Sequence, residues 1–296
     1  MAVFNRRKAK LHQTPKPARN ASANTTNTAD NEGIADAPGR NRHKSIYLLP
    51  NAFTTAALFC GFYAIVMAMN QKFENAAIAI FIAMILDSLD GRIARLTNTQ
   101  SEFGAQYDSL SDMVNFGAAP SLVMYVWALK DLGKLGWLSA FVYCAGAALR
   151  LARFNTNIAV VDKRYFQGLP SPAAAALVAG FIYVMVDSGF TEQHPLWVSW
   201  VSWVITLFAG LTMVTNVPFY SFKDVNFGKA VPFIMVFVVV LIFVAISIHP
   251  PIVLFGMFIL FGLSGYVIFF WRLIKGKPIS IVQTEIETHD DDSHDI

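Results

Sequence analysis

The chain of 296 residues is 55% hydrophobic and 14% aromatic, with only 15% of its residues charged and a positive mean hydropathy. A water-soluble domain of this length needs far more charge on its surface, so soluble enzymes and soluble binding modules are both excluded. The net charge of +3 conceals an uneven distribution that becomes informative once the apolar runs are placed.

Residues 1–44 are rich in Ala, Asn, Thr, Pro, Arg and Lys and have neither helical nor strand periodicity. They are expected to form a disordered basic tail. Apolar runs follow at 46–69, 73–95, 107–129, 135–154, 171–188, 196–214, 230–248 and 251–271. Each is about long enough to cross the hydrocarbon core of a bilayer. A lone span satisfies its own backbone only as a helix. The expectation is all-α: a polytopic membrane bundle of about eight transmembrane helices over 45–275, followed by a polar tail over 276–296 that ends in "HDDDSHDI". Cys60 and Cys144 fall inside apolar runs and read as small packing residues without a disulfide framework.

Sorting Lys and Arg by side tests the topology. With an even number of spans the two tails share a side. That side collects the N-terminal cluster, Arg92 and Arg95, Arg150, Arg153, Lys163 and Arg164, Lys223 and Lys229, and Arg272, Lys275 and Lys277. The opposite side holds Lys72, Lys130 and Lys134. The bias predicts an inner (cytoplasmic) membrane protein with both termini in the cytoplasm. Nucleic-acid binding is not expected, because the basic tail has no folded scaffold.

Against this apolar background stands "DSLDGRIARLTNTQSEFGAQYDSLSD", residues 87–112. Asp87, Asp90, Gly91 and Ala94 follow i, i+3, i+4, i+7 spacing and share one helical stripe near the cytoplasmic end of the second span. Asp108 and Asp112 lie one turn apart on the next helix, with Gly104 one turn before them. A carboxylate buried at the middle of a bilayer costs about 2.5–3.5 kcal/mol, less near the interface. Arg92 and Arg95 cannot neutralise four packed carboxylates. Hard divalent cations such as Mg²⁺ or Mn²⁺ prefer oxygen ligands, and two of them would cancel the charge. The glycines, which let a backbone or ligand approach closely, argue against a plain solvated loop and against a proton relay.

The stretch "DSLDGRIAR" followed eight residues later by "GAQYDSLSD" resembles the full signature of the CDP-alcohol phosphatidyltransferases, with each fixed position of the pattern present. "LPNAFTTAALFCGFYAI" (49–65), "ALRLARFNT" (148–156), "FQGLPSPAAAA" (166–176) and "NVPFYSFK" (216–223) are similar to the bacterial branch that uses serine as acceptor. The resemblance runs from residue 46 to about 225 and implies CDP-diacylglycerol and L-serine as substrates, with a homodimer as the common assembly. It implies that Asp87, Asp90 and Asp108 hold two divalent ions. Asp112 would be the general base, also touching a metal. Gly91, Ala94, Arg95 and Gly104 would form the cytidine diphosphate pocket with Ser101, Asn51 and Thr54.

The chemistry suits that assignment. An alcohol attacks the phosphorus that bears the lipid and CMP departs, so negative charge develops on both attacking and leaving oxygens. Selecting serine requires a partner for its carboxylate. Arg150 and Arg153, ending the fourth span, have the planar fork that pairs with carboxylates, although interfacial anchoring explains them equally well. Other acceptors (glycerol phosphate, inositol phosphate or choline) remain open, since Arg150, Arg153, Lys163 and Arg164 could also meet a phosphorylated alcohol. A cation transporter would likewise gather aspartates among helices, but near the midplane and without nucleotide-shaped glycine spacing.

Overall fold

The structure is a computed structural model and describes residues 40–156, 165–191, 194–220 and 233–275. The tails at 1–39 and 276–296, and with them Lys163, Arg164, Lys223 and Lys229, lie outside the described residues.

The expected all-α bundle is observed. Helices α1 (Arg40–Met69) and α2 (Phe73–Leu96) form an antiparallel pair. Helix α3 (Glu102–Asp112) runs through a π-helical turn (Met113–Ala118) into α4 (Ala119–Trp127), and a 3₁₀ turn (Leu129–Leu132) leads to α5 (Lys134–Thr156). Helices α6 (Ser171–Asp187), α7 (Leu196–Val214), α8 (Phe233–Ile248) and α9 (Pro250–Ile274) complete the described bundle. Among the described residues four segments are long and apolar enough to cross a membrane: Leu49–Met69, Lys134–Thr156, Leu196–Val214 and Pro250–Ile274. Helices α6 and α8 are apolar but shorter. α2 carries Asp87, Asp90, Arg92 and Arg95 at one end, so it is a polar-ended member of the same bundle.

Two boundaries differ from expectation. α1 begins at Arg40, inside the segment expected to be a tail. Pro38 and Gly39 precede it and no further helix breaker intervenes before Pro50, so the apolar helix propagates back through a polar turn. α3 begins at Glu102, before the expected third span, because Ser101 caps it: its Oγ accepts from the Gly104 amide at 3.0 Å.

Small residues set the packing. Ala57, Ala64, Ala68, Ala76, Ala77 and Ala83 are buried between or beside α1 and α2, letting the backbones come close where apolar lipid offers no hydrophobic drive for association. α5 meets α7 at Gly146 and Gly210; a Cβ on Gly210 would lie 2.7 Å from the Cα of Tyr143. Tyr143 has a second task. Pro120 has no amide hydrogen to give the carbonyl of Phe116 four residues earlier, and the buried Tyr143 Oη donates to that carbonyl at 3.0 Å.

A two-stranded antiparallel ladder was not anticipated from the sequence. β1 (Tyr165–Gln167) pairs with β2 (Pro218–Tyr220), in the register Phe166–Phe219 and Gln167–Pro218. Gly168, at φ +76°, turns the chain from β1 toward α6, and its amide donates to the Val217 carbonyl at 2.9 Å.

Candidate active site

The turn between α2 and α3 builds the site. Asn98 adopts a left-handed φ of +53° just past the end of α2. Its amide donates to the Arg95 carbonyl at 3.4 Å, and the Thr99 amide to the Ala94 carbonyl at 3.0 Å. These two bonds close the helix and satisfy carbonyls that would otherwise be orphaned. The chain then reaches Ser101, whose cap restarts it as α3. Two helices bearing aspartates are thus held side by side by five linking residues, Thr97 to Ser101.

Oxygens of Asp87, Asp90 and Asp108 lie within 4.8 Å of one another. Asp112 stands beside Asp87 and Asp108, with the Arg150 guanidinium nearby. Asp90 is 4% exposed, and its Oδ2 accepts a hydrogen bond from Thr54 Oγ1 on α1 at 2.7 Å. Asp87, Asp108 and Asp112 each keep one buried oxygen without a hydrogen-bond partner. Among the described residues, neither Arg92 nor Arg95 makes an ion pair with the four. Buried carboxylate oxygens that are gathered together yet unpaired are costly, and hard cations satisfy them. The donor set therefore fits a divalent metal: oxygen only, with two helices supplying the ligands.

A cavity of about 270 Å³ opens beside this cluster, between α1, α2 and α3. Its lining includes Asn51, Thr54, Asp90, Gly91, Ala94, Arg95, Ser101, Gly104 and Asp108, each of them singled out from the sequence. A Cβ on Gly91 would meet no atom within 4 Å. The protein's own packing therefore does not demand glycine there, and the space it leaves belongs to the cavity. At Gly104 a Cβ would press on Ser101 Oγ at 3.1 Å and lie 3.4 Å from Asn51 Oδ1, so this glycine lets α1 and the cap of α3 converge. Pro50, Thr99, Gln100 and Ala105 also line the cavity. Pro50 sits in "PNAFT", Thr99 and Gln100 in the link between the two acidic helices and Ala105 in "GAQYDSLSD", stretches that the sequence had flagged, but nothing in their residue types marked them.

Arg150 and Arg153 lie outside this lining, and they differ from each other. Arg150 Nη1 donates to Ser171 Oγ, at the start of α6, at 2.6 Å. The Arg153 guanidinium instead donates to the carbonyls of Gln167, Met213, Val214 and Thr215 at 2.8–3.3 Å and to Asn216 Oδ1 at 3.1 Å. It ties the end of α5 to β1 and to the C-terminal carbonyls of α7, where a cation is favoured by the helix dipole. Asn155 Nδ2, near the end of α5, donates to Ser109 Oγ of α3 at 3.0 Å.

A family model described as CDP-alcohol phosphatidyltransferase matches residues 47–213. The chain is 38% identical over 199 residues to a CDP-diacylglycerol–serine O-phosphatidyltransferase of Helicobacter pylori, covering 65% of this chain and 80% of the relative. A protein of that same description from Mycobacterium bovis is 36% identical over 166 residues, 54% of this chain and 57% of its own. One from Saccharomyces cerevisiae is 37% identical over 158 residues, with shares of 49% and 55%.

Proposed function

We propose that this chain, which belongs to the CDP-alcohol phosphatidyltransferase family, transfers the phosphatidyl group of CDP-diacylglycerol to the hydroxyl of L-serine and releases CMP. Membership supplies the reaction class, phosphatidyl transfer from a CDP-linked lipid to an alcohol. The serine acceptor is supported by the relatives that carry that description. The observation that carries the reading is one cavity whose lining joins the carboxylates of Asp90 and Asp108, the latter with a buried oxygen left unpaired and both grouped with Asp87, to the open face of Gly91 and the guanidinium of Arg95. Such a space suits a ligand that is anionic at one end and flat at the other.

Asp87, Asp90 and Asp108 would hold two divalent ions, Mg²⁺ or Mn²⁺, which when bound would stabilise the negative charge of the diphosphate. Asn51, Ser101 and Arg95 offer polar contacts to the nucleotide, while Gly91, Ala94 and Gly104 leave room for it. Thr54 holds Asp90. Asp112 accepts the proton of the serine hydroxyl as its oxygen bonds to phosphorus, and the bond to CMP breaks with its electron pair on the departing phosphate. A positioned base of this kind contributes about 10²–10⁴-fold.

Of the two arginines, we assign Arg150 to the serine carboxylate. Its fork has a single hydrogen bond among the described residues and it faces Asp112, whereas Arg153 is occupied by five acceptors. The Lys and Arg asymmetry supports an inner-membrane location with the site on the cytoplasmic face, where water-soluble serine can reach a lipid whose tails stay in the bilayer.

The test is CMP release by membranes containing the protein, given CDP-diacylglycerol and each acceptor in turn, with and without EDTA. Serine-dependent, chelator-abolished release is expected. Release driven instead by glycerol phosphate or inositol phosphate would reassign the acceptor, and no release with any alcohol would overturn the reading.

A further inference from the structure

Beneath the carboxylates runs a series of buried polar groups that the transfer step does not use. Asn115, wholly buried in the π-helical turn, donates through Nδ2 to Ser111 Oγ at 3.1 Å. Ser111 Oγ donates to the backbone carbonyl of Thr54 at 3.3 Å. Thr54 Oγ1 donates to Asp90 Oδ2 at 2.7 Å. All four residues are at most 4% exposed, so each would be a liability without its partner. The series crosses from α3 to α1 to α2. Apolar and small-residue contacts between membrane helices tolerate small axial shifts, whereas hydrogen bonds are directional and short-ranged.

We infer that Ser111 and Asn115 are positioning residues for the carboxylate cluster. They hold α3, and with it Asp108, in register with Thr54 on α1, and Thr54 in turn holds Asp90. The π-helical turn follows directly on Asp112 and brings Asn115 against Gly61 of α1, where a Cβ would overlap Asn115 Oδ1. α1 therefore approaches α3 closely enough for the Ser111 hydroxyl to reach a backbone carbonyl. The 4.8 Å grouping of Asp87, Asp90 and Asp108 oxygens depends on this register. The inference rests on the metal-binding reading proposed above.

Mn²⁺ alone serves as the probe. The full-length protein, purified in detergent without substrate, is mixed with Mn²⁺ and the free ion is counted by electron paramagnetic resonance. Ser111→Ala, which removes one oxygen, is expected to raise the Mn²⁺ dissociation constant about tenfold, the scale of one lost hydrogen bond. Asn115→Ala should act in the same direction. The Mn²⁺ concentration for half-maximal turnover should rise by the same factor, and the KM for serine should not follow it. A merely structural role would lower folded yield without moving the Mn²⁺ constant. If the unaltered protein binds Mn²⁺ and Ser111→Ala binds it equally well, the inference is overturned while the proposed function stands. If the unaltered protein binds none, the metal reading itself falls and the inference falls with it.

Discussion

Carboxylates packed this closely repel one another, and three of the four have a buried oxygen with nothing to accept from; only a bound cation or a proton relieves that. Asp112 is set apart by its neighbours, since Arg150 approaches it and none of the metal-grouped oxygens is its own. Asp112→Asn keeps the shape and removes the proposed base, so kcat should fall by about 10²–10⁴-fold while CDP-diacylglycerol still binds. Retention of more than a tenth of the turnover would remove Asp112 from proton transfer. Arg150→Ala should raise the serine KM at least tenfold with little change in the KM for CDP-diacylglycerol, since one charge-assisted bond is worth about 1.5–3 kcal/mol. At this scale the spacing of Asp87, Asp90, Gly91, Ala94, Asp108 and Asp112 was legible, because a stripe on a helix is a matter of counting residues. The difference between Arg150 and Arg153 was not, because it depends chiefly on carbonyls at the end of α7 that lie some 60 residues away in sequence.

Helix ends divide along similar lines. Gly189, at φ +95°, closes α6, with the Phe190 amide donating to the Met185 carbonyl at 3.0 Å; glycine in that place is an expected signal. Gln71 closes α1 by the same pattern at φ +61°, although glutamine has no preference for the left-handed region, so that stop came from the tight return to α2. The β1–β2 ladder was invisible for a different reason: three-residue strands have too little period to read, and these two lie where α6 begins and α7 ends. Two outcomes belong to this scale. Tyr143→Phe removes the hydroxyl's hydrogen bond to the buried Phe116 carbonyl, which should cost about 0.5–1.5 kcal/mol and appear as a lower Tm in detergent. Gly210→Val forces a side chain onto the Tyr143 backbone and should destabilise the bundle by about 1–3 kcal/mol as overpacking. An unchanged Tm in either case would show that α5 can shift without loss.

For the molecule as a whole, the proposed cation site would make folding and ligand binding interdependent. A cation that binds the folded bundle and not the unfolded chain stabilises it by mass action, about 2.7 kcal/mol at one hundred times its dissociation constant. Adding Mg²⁺ or Mn²⁺ to protein prepared in EDTA should therefore raise the Tm, and Asp90→Asn should blunt the rise. A Tm indifferent to both ions would count against a metal at this site.

By itself the sequence determined the class of molecule, the bundle of apolar helices and the helical stripe that carries the acids, because hydrophobicity and helical period are local properties of the chain. The tertiary structure alone decided which arginine is engaged by backbone, where the ladder forms, and how Asn115, Ser111 and Thr54 reach from one helix to the next. Those are contacts between residues far apart along the chain, and their geometry exists only once packing has set the distances between helices.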